Sequence, residues 1–434
     1  MADQQAEAVN GLQVEQAGRP SFAETFRTWA EIGLLSFGGP AGQIALMHRV
    51  LVDEKKWLDE KRYLAALNFC MLLPGPEAMQ LATYAGWTLH GWRGGLAAGT
   101  LFVLPGAVVV LVLSMIYAAF GQVPFVAALF FGIKAAVLAI VIEALLRVAR
   151  RALKFTSDWW IATAAFVALY IFQIPFPLII LIAALIGFFR ATPATEPAAP
   201  AVAVDWRSTL ATTALWLALW LVPLALIIMG FGWNHVFAQT ALFFSKLAIV
   251  TFGGAYAVLS YMAQQAVETF GWLKADEMID GLGLAETTPG PLILVTEFVG
   301  YMAGYRFAGG LWGGIAAAVI TIWMTFVPCF LWIMAGAPYI ERLQNMPRLS
   351  GALAAVTAAV VGVILNLTVW FALHVLFGTL DRTPFGLVPQ FESLDVPALI
   401  LSAIAATALF AFHQGIFRTL LLCSLLGVIW KTLF

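Results

Sequence analysis

Two short segments, Pro74-Gly75-Pro76 and Pro289-Gly290-Pro291, interrupt long apolar runs. Proline removes an amide donor and breaks a helix, while glycine admits torsions and close approaches that other residues resist. In hydrocarbon, a freed backbone group is tolerated only against protein or water. Each segment therefore exposes polar backbone that something must use. A helix beginning at Pro76 or Pro291 presents free amides and the positive end of its dipole, which suits an oxyanion. Gly38-Gly39-Pro40 and Gly253-Gly254-Ala255 offer a second pair of helix starts. Thr287 and Thr288 can donate hydroxyls beside the second break. Asn68 and Gln80 flank the first, where they orient a ligand or tie the half-helices together.

Charged residues add to this candidate oxyanion site. Lys134 and Lys246 fall inside apolar runs, where an isolated charge is costly and a functional role is the default reading. They can attract an anion or pair with Glu143, Glu286 or Glu297; a structural ion pair, or snorkelling from a helix end, is the alternative for each. Glu77 lies in the first turn after Pro76, where helix capping competes with proton coupling or gating. Trp57 and Trp272 read equally as membrane-interface anchors. The charged run from Asp53 to Arg62 reads as a solvated connector. Five histidines, at 48, 90, 235, 374 and 413, form no metal motif. Cys70, Cys329 and Cys423 share no metal-like spacing and read as buried free thiols. There is no Walker loop, and neither cofactor nor metal is expected.

The elements that must hold these residues occur twice. Phe37-Gly38-Gly39, Trp57-Leu58 and Pro74-Gly75-Pro76 recur as Phe252-Gly253-Gly254, Trp272-Leu273 and Pro289-Gly290-Pro291, each 215 positions later. Turn residues and tryptophans kept in register indicate an internal duplication. Residues 21–190 form the first repeat and 232–434 the second, separated by a Pro/Ala-rich linker at 191–208 and an unmatched apolar span at 209–231. Residues 1–20 are polar, lack a signal-peptide pattern and read as a disordered tail.

With 434 residues, 62% of them hydrophobic and 11% charged, the chain is no ordinary soluble domain, since such domains carry about 25% charge. Leu96 to Ala119, Thr209 to Phe231 and Gly351 to Phe377 contain no Asp, Glu, Lys or Arg. Each is long enough for a hydrocarbon core of roughly 30 Å. A formal charge of −1 gives no sign of nucleic-acid binding. The fold class is all-α and polytopic, with two repeats of broken helices.

Repeat orientation depends on parity. If each Pro-Gly-Pro segment crosses once, each repeat has six crossings, the unmatched span inverts the second, and the total is 13. A re-entrant segment leaves five crossings per repeat and parallel copies. Loop charge separates the two, because Arg147, Arg150, Arg151 and Lys154 mark one loop as cytoplasmic while its second-half counterpart, 374–397, lacks that excess. The turn near Gly121 is uncharged, whereas its counterpart holds Arg342 and Arg348. The bias changes places between the halves, which favours inverted repeats.

The chain resembles the chromate ion transporter family in its long, two-domain form. The likeness runs from Ser21 onward and is most specific at Ser36 to Arg49, Leu67 to Gln80, Phe252 to Leu259 and Gly281 to Leu292. The resemblance implies export of chromate across a bacterial inner membrane, chromate resistance, and inverted halves. Sulfate, a structural analogue, is the alternative substrate. Glu297 departs from the neutral polar residue expected there. The partners are then the oxyanion and membrane lipids, with a homodimer left open, and the chain is not an enzyme. A small-oxyanion permease is the second reading. A membrane lipid-pyrophosphate phosphatase is the third, and it lacks a clear catalytic cluster.

Overall fold

The computed structural model describes residues 20–191, 206–252, 255–340, 346–383 and 386–433. The expected N-terminal tail, most of the linker, and Gly253 and Gly254 lie outside the described residues.

The first repeat opens with two short inward helices, α1 (Phe22–Leu35) and α2 (Gly39–His48, continued by a wide turn to Glu54). Ser21 starts α1 by accepting the Glu24 amide at 3.2 Å, and Gly38, at φ +87°, turns the chain back into α2. Helix α3 (Glu60–Cys70) is capped by Asp59. It leads through Pro74-Gly75-Pro76 to α4 (Glu77–Phe120), which bends sharply at His90 and Gly91. Gly91, at φ +59°, lets residues 77–89 fold back on the long arm 92–120. Gly86 and Gly94 meet backbone to backbone there, because small residues allow helices to approach closely. Helices α5 (Pro124–Ala152), α6 (Thr156–Tyr170) and α7 (Phe176–Arg190) follow.

Helix α8 (Trp206–Phe231) leads to the second repeat. Its inward arms are α9 (Val236–Val250), α10 (Ala255–Gln264), α11 (Ala275–Thr287) and α12 (Val295–Phe307). Helices α13 (Leu311–Gly336), α14 (Pro347–Leu376), α15 (Val396–Ala406) and α16 (Ile416–Leu433) complete it. A small antiparallel hairpin, Leu380–Thr383 with Gly386–Pro389, is the one departure from an all-helical chain among the described residues. Six described helices are long and apolar enough to cross a membrane: α4, α5, α8, α13, α14 and α16.

Contacts between arm ends fix the path. Lys55 pairs with Glu24 at 3.3 Å, joining the end of the α2 turn to the start of α1. Glu60 holds His48 at 2.6 Å, which raises the imidazole pKa above its usual value. His90 reaches Thr25 at 2.9 Å, which returns the first arm of α4 to the same face. Both breaks in the first repeat are thus tips of re-entrant hairpins. In the second repeat Arg306, at the end of α12, bonds the Trp272 carbonyl at 2.8 Å beside the start of α11.

This corrects the count of 13 crossings. The Gly-Gly break re-enters as well as the Pro-Gly-Pro break, so each repeat keeps two long passes, α4 with α5 and α13 with α14, followed by a shorter pair, α6 with α7 and α15 with α16. An even number of passes followed by the single α8 still inverts the second copy. The loop charges agree. Arg348 lies 5.5 Å from the Phe188 ring, so its loop shares the face of Arg151, Lys55 and Arg93. The opposite face carries fewer cations, and there Arg306 and Arg382 are held by Glu277 and Glu268. Trp272 is no interface anchor: it is 1% exposed and stacks on Phe270 at 4.3 Å.

In a chain whose three native cysteines are replaced by alanine, Lys55→Cys and Arg93→Cys should react with a membrane-impermeant maleimide from one side. Lys274→Cys should react from the other. Labelling of the first two from opposite sides would mean that the Pro-Gly-Pro segment crosses after all.

Candidate oxyanion site

The four hairpin tips meet crosswise. The Gly75 amide donates to the Thr251 carbonyl at 2.7 Å, and the Gly290 amide donates to the Ser36 carbonyl at 2.9 Å. Ser36 and Thr251 are equivalent under the 215-residue offset, as are Gly75 and Gly290. Each Pro-Gly-Pro turn is therefore seated on the Gly-Gly break of the other repeat. Gln43 reinforces one junction by donating to both the Ser36 and Gly290 carbonyls. Gln80 supports the other by donating to the Pro74 carbonyl at 2.7 Å.

Close packing sets the tips in place. A Cβ added to Gly106 of α4 would lie 2.2 Å from the Pro289 carbonyl oxygen. Gly75 sits against Cys329 and Gln80 in the same manner. Helices α2 and α4 start here without side-chain caps, after Gly38 and Pro76 respectively, and the turn after Pro291 that leads into α12 also lacks one. Uncapped first-turn amides in a dry setting are suited to an anion. Ser36 Oγ, Gln43 Oε1 and Gln80 Oε1 are buried with no hydrogen-bond partner. Ser36 thus keeps a hydroxyl proton for a ligand, whereas the two amide oxygens can only accept.

The remaining candidates divide. Pro74, Gly75, Pro76, Glu77 and Gln80 sit at one junction; Gly38 and Gly39, with Pro289, Gly290 and Pro291, sit at the other. The Thr287 and Thr288 hydroxyls donate to the Leu284 and Ala285 carbonyls at 2.8 and 3.1 Å. They satisfy the end of α11 and leave no hydroxyl proton for a ligand in this conformation. Glu286 accepts from the Tyr256 hydroxyl. Asn68 is exposed on α3. Lys246 is exposed on α9, 5.6 Å from the Tyr261 ring.

Lys134 stands apart from the tips. It lies 3.4 Å from Asp280 and 3.7 Å from Asp276, and Tyr117 donates to the same Asp280 oxygen at 2.7 Å. Its partners are thus on α11, and none of the three acids expected from the sequence is among them.

Four residues of this region were absent from the sequence-derived site: Ser36, Gln43, Tyr256 and Arg151. The offset could have revealed Ser36, because its equivalent, Thr251, also carries a hydroxyl. Arg151 approaches Met71 Sδ at 2.9 Å, placing a guanidinium beside the first tip. Its neighbour Arg147, one turn earlier on α5, pairs with Glu143. An apolar crevice of about 730 Å³ between α8 and helices α4 and α13 is lined by Trp216, Trp323 and Phe330, far in character from an anion site.

The two halves of the site differ in exposure. Leu64 is 45% exposed on the α3 side, whereas residues 295–304 of α12 are buried without exception. The arms on the basic side are thus less fully covered than those on the other.

Gly38 and Gly75 both have positive φ, +87° and +120°. A Cβ on Gly38 meets nothing within 4 Å, while one on Gly75 would lie 2.8 Å from Cys329 Sγ. Gly38→Ala should thus cost only backbone strain, about 1–2 kcal/mol, and Gly75→Ala distinctly more. Thermal unfolding of the purified protein in detergent checks this ordering, and equal losses of Tm would contradict it.

The sequence profile described as Chromate transporter matches residues 23–188 and 238–429. A chromate transport protein of Pseudomonas aeruginosa is 33% identical over 354 residues, covering 79% of each chain. One from Cupriavidus metallidurans is 27% identical over 383 residues, covering 86% of this chain and 89% of its own. A probable chromate transport protein of Synechococcus elongatus is 28% identical over 346 residues, covering 79% and 83%. No solved structure matches the chain.

Proposed function

The chain belongs to the chromate transporter family, and from that membership we propose that it exports chromate across a bacterial inner membrane and so confers resistance. The observation that carries the direction is the polarity of the site. The first of the crossed tips, with its uncapped helix start, lies beside Arg151 and beneath the less covered arms of the face rich in arginine and lysine, which the positive-inside bias assigns to the cytoplasm. Arg151 and Arg147 stand on that approach.

A tetrahedral dianion arriving from the cytoplasm meets guanidinium charge first. It then exchanges water for backbone amides and the Ser36 hydroxyl at the junctions. Donors held in place by packing need little reorganisation to receive it. Release to the other side requires the α11 and α12 hairpin to open while the α1–α4 hairpins close, an exchange of roles that inverted repeats make symmetrical.

The driving force needs no ATP. An inside-negative potential favours anion exit by about 2.3 kcal/mol per charge per 100 mV. For a dianion this doubles to about 4.6 kcal/mol. Outward movement then runs downhill even against a substantial concentration gradient.

Sealed everted vesicles supplied with chromate under a set potential test this reading. Uptake should rise with an interior-positive potential and fall in excess sulfate. Arg147→Gln combined with Arg151→Gln should lower it about tenfold or more, since a charge-assisted hydrogen bond is worth ~1.5–3 kcal/mol. Uptake indifferent to potential and to both arginines would defeat the proposal. Lipid-phosphate hydrolysis without chromate movement would favour an enzyme instead.

A further inference from the structure

Glu297 of α12 is 2% exposed, and its Oε2 has no hydrogen-bond partner. It lies on the seam where α12 folds back against α13. Gly304 touches Gly313, and Gly300 touches Thr321. The antiparallel register therefore sets Glu297, nearly one turn deeper, opposite residues 321–325. Thr321 and Thr325 are also buried with unpartnered hydroxyls, as is Tyr301 one turn from Glu297 toward the opposite face. Tyr301 in turn stacks on Tyr305, with ring centroids 5.9 Å apart. A line of unpartnered polar groups thus runs from near the second tip toward the outer end of α12.

Among the described residues no cation compensates the carboxyl. Helix α13 has no charged residue from Leu311 to Gly336. On α12 itself, Arg306 is bound to Glu277. On α11, Asp280 is bound to Lys134 and Tyr117, and Glu286 to Tyr256. Lys246 of α9 lies over Tyr261. Helix α4 contributes Glu77 at its tip, with His90 and Arg93 at the far bend. An unpaired carboxylate in so dry a seam is prohibitively costly, so the group is held neutral here. The matching arm of the first repeat has Met79 and Ala82 at comparable depth. Repeat packing alone therefore does not call for an acid.

We propose that Glu297 is a proton-binding site and that its occupancy is coupled to the anion site. The conformation described is the protonated one, with the O–H proton taken from water on the outer face while α12 stands away from α13. Losing that proton leaves a carboxylate that must reach water, which α12 provides only by leaving α13. Glu297 is six residues beyond Pro291, about 9 Å along a helix, so that movement pulls on the Gly290–Ser36 junction. Because α12 opens only toward the outer face, the proton is lost to and regained from that face, so outer pH sets the occupancy and no proton crosses the membrane. This coupling rests on the export reading above, whereas the proton site does not.

Full-length protein in liposomes, with potential clamped at zero, separates the two. Wild-type chromate flux should change severalfold with pH at the outer face and stay constant when only the pH of the other face is changed. Glu297→Gln, a neutral near-isostere, should retain chromate–chromate exchange while the ratio of its fluxes at two outer pH values falls to one. Infrared difference spectra over a pH titration supply a readout that needs no chromate: a protonated-carboxyl C=O band present in wild type should be missing in Glu297→Gln. That band, or the dependence on outer pH, persisting in Glu297→Gln would overturn the proposal, as would wild-type flux blind to outer pH. Loss of chromate flux in wild type with the band intact would count against export and leave the proton site standing.

Discussion

Everything in this molecule depends on how interrupted backbone is satisfied away from water. A helix can be broken at membrane depth only if the freed groups find partners. Here each break supplies the partner for the other: the Gly75 amide meets the Thr251 carbonyl, and the Gly290 amide meets the Ser36 carbonyl. The two bonds are related by the internal duplication. Gly106 is small because a backbone carbonyl lies against it, and Gly75 packs tightly against Cys329. Gln43 and Gln80 complete what the main chain leaves open. Donors unused by this arrangement, chiefly first-turn amides and the Ser36 hydroxyl, make the place chemically useful.

The rest of the architecture holds these tips at a common depth. Glycine contacts such as Gly86 with Gly94 and Gly304 with Gly313 let each inner arm lie flush on a long helix. Ion pairs are concentrated at the arm ends, as in His48 with Glu60 and Arg306 with Glu277. The more exposed pairs, such as His48 with Glu60, contribute little stability, whereas buried Glu277 depends on Arg306 to carry its charge. Their value is in register, because they tie the start of one arm to the end of its neighbour.

Much of this was readable from the chain alone, and the failures are instructive. The matched Phe-Gly-Gly and Pro-Gly-Pro motifs announced duplication, breaks and an anion-friendly backbone, and loop charge announced inversion. Whether a break continues or reverses the chain was illegible, since that depends on the exit direction after a turn. The sequence reading allowed reversal at the Pro-Gly-Pro only, and hence tied re-entry to parallel repeats. The partners of Lys134 were also hidden. Asp280 is 146 positions away in sequence, and only the packing of α11 against α5 brings the two together. The Thr287 and Thr288 hydroxyls looked free because the end of α11, whose carbonyls they satisfy, could not be located to the residue.

The crossed seating of the tips has an implication for how such a molecule could be divided. Severed at α8, neither half could finish its own turns, since the carbonyl that receives each Pro-Gly-Pro amide belongs to the other half. A self-sufficient half-length version would have to associate with a mate threaded through the bilayer in the contrary sense. Fusion through one odd helix removes that requirement, because it fixes stoichiometry and opposing orientation within a single polypeptide.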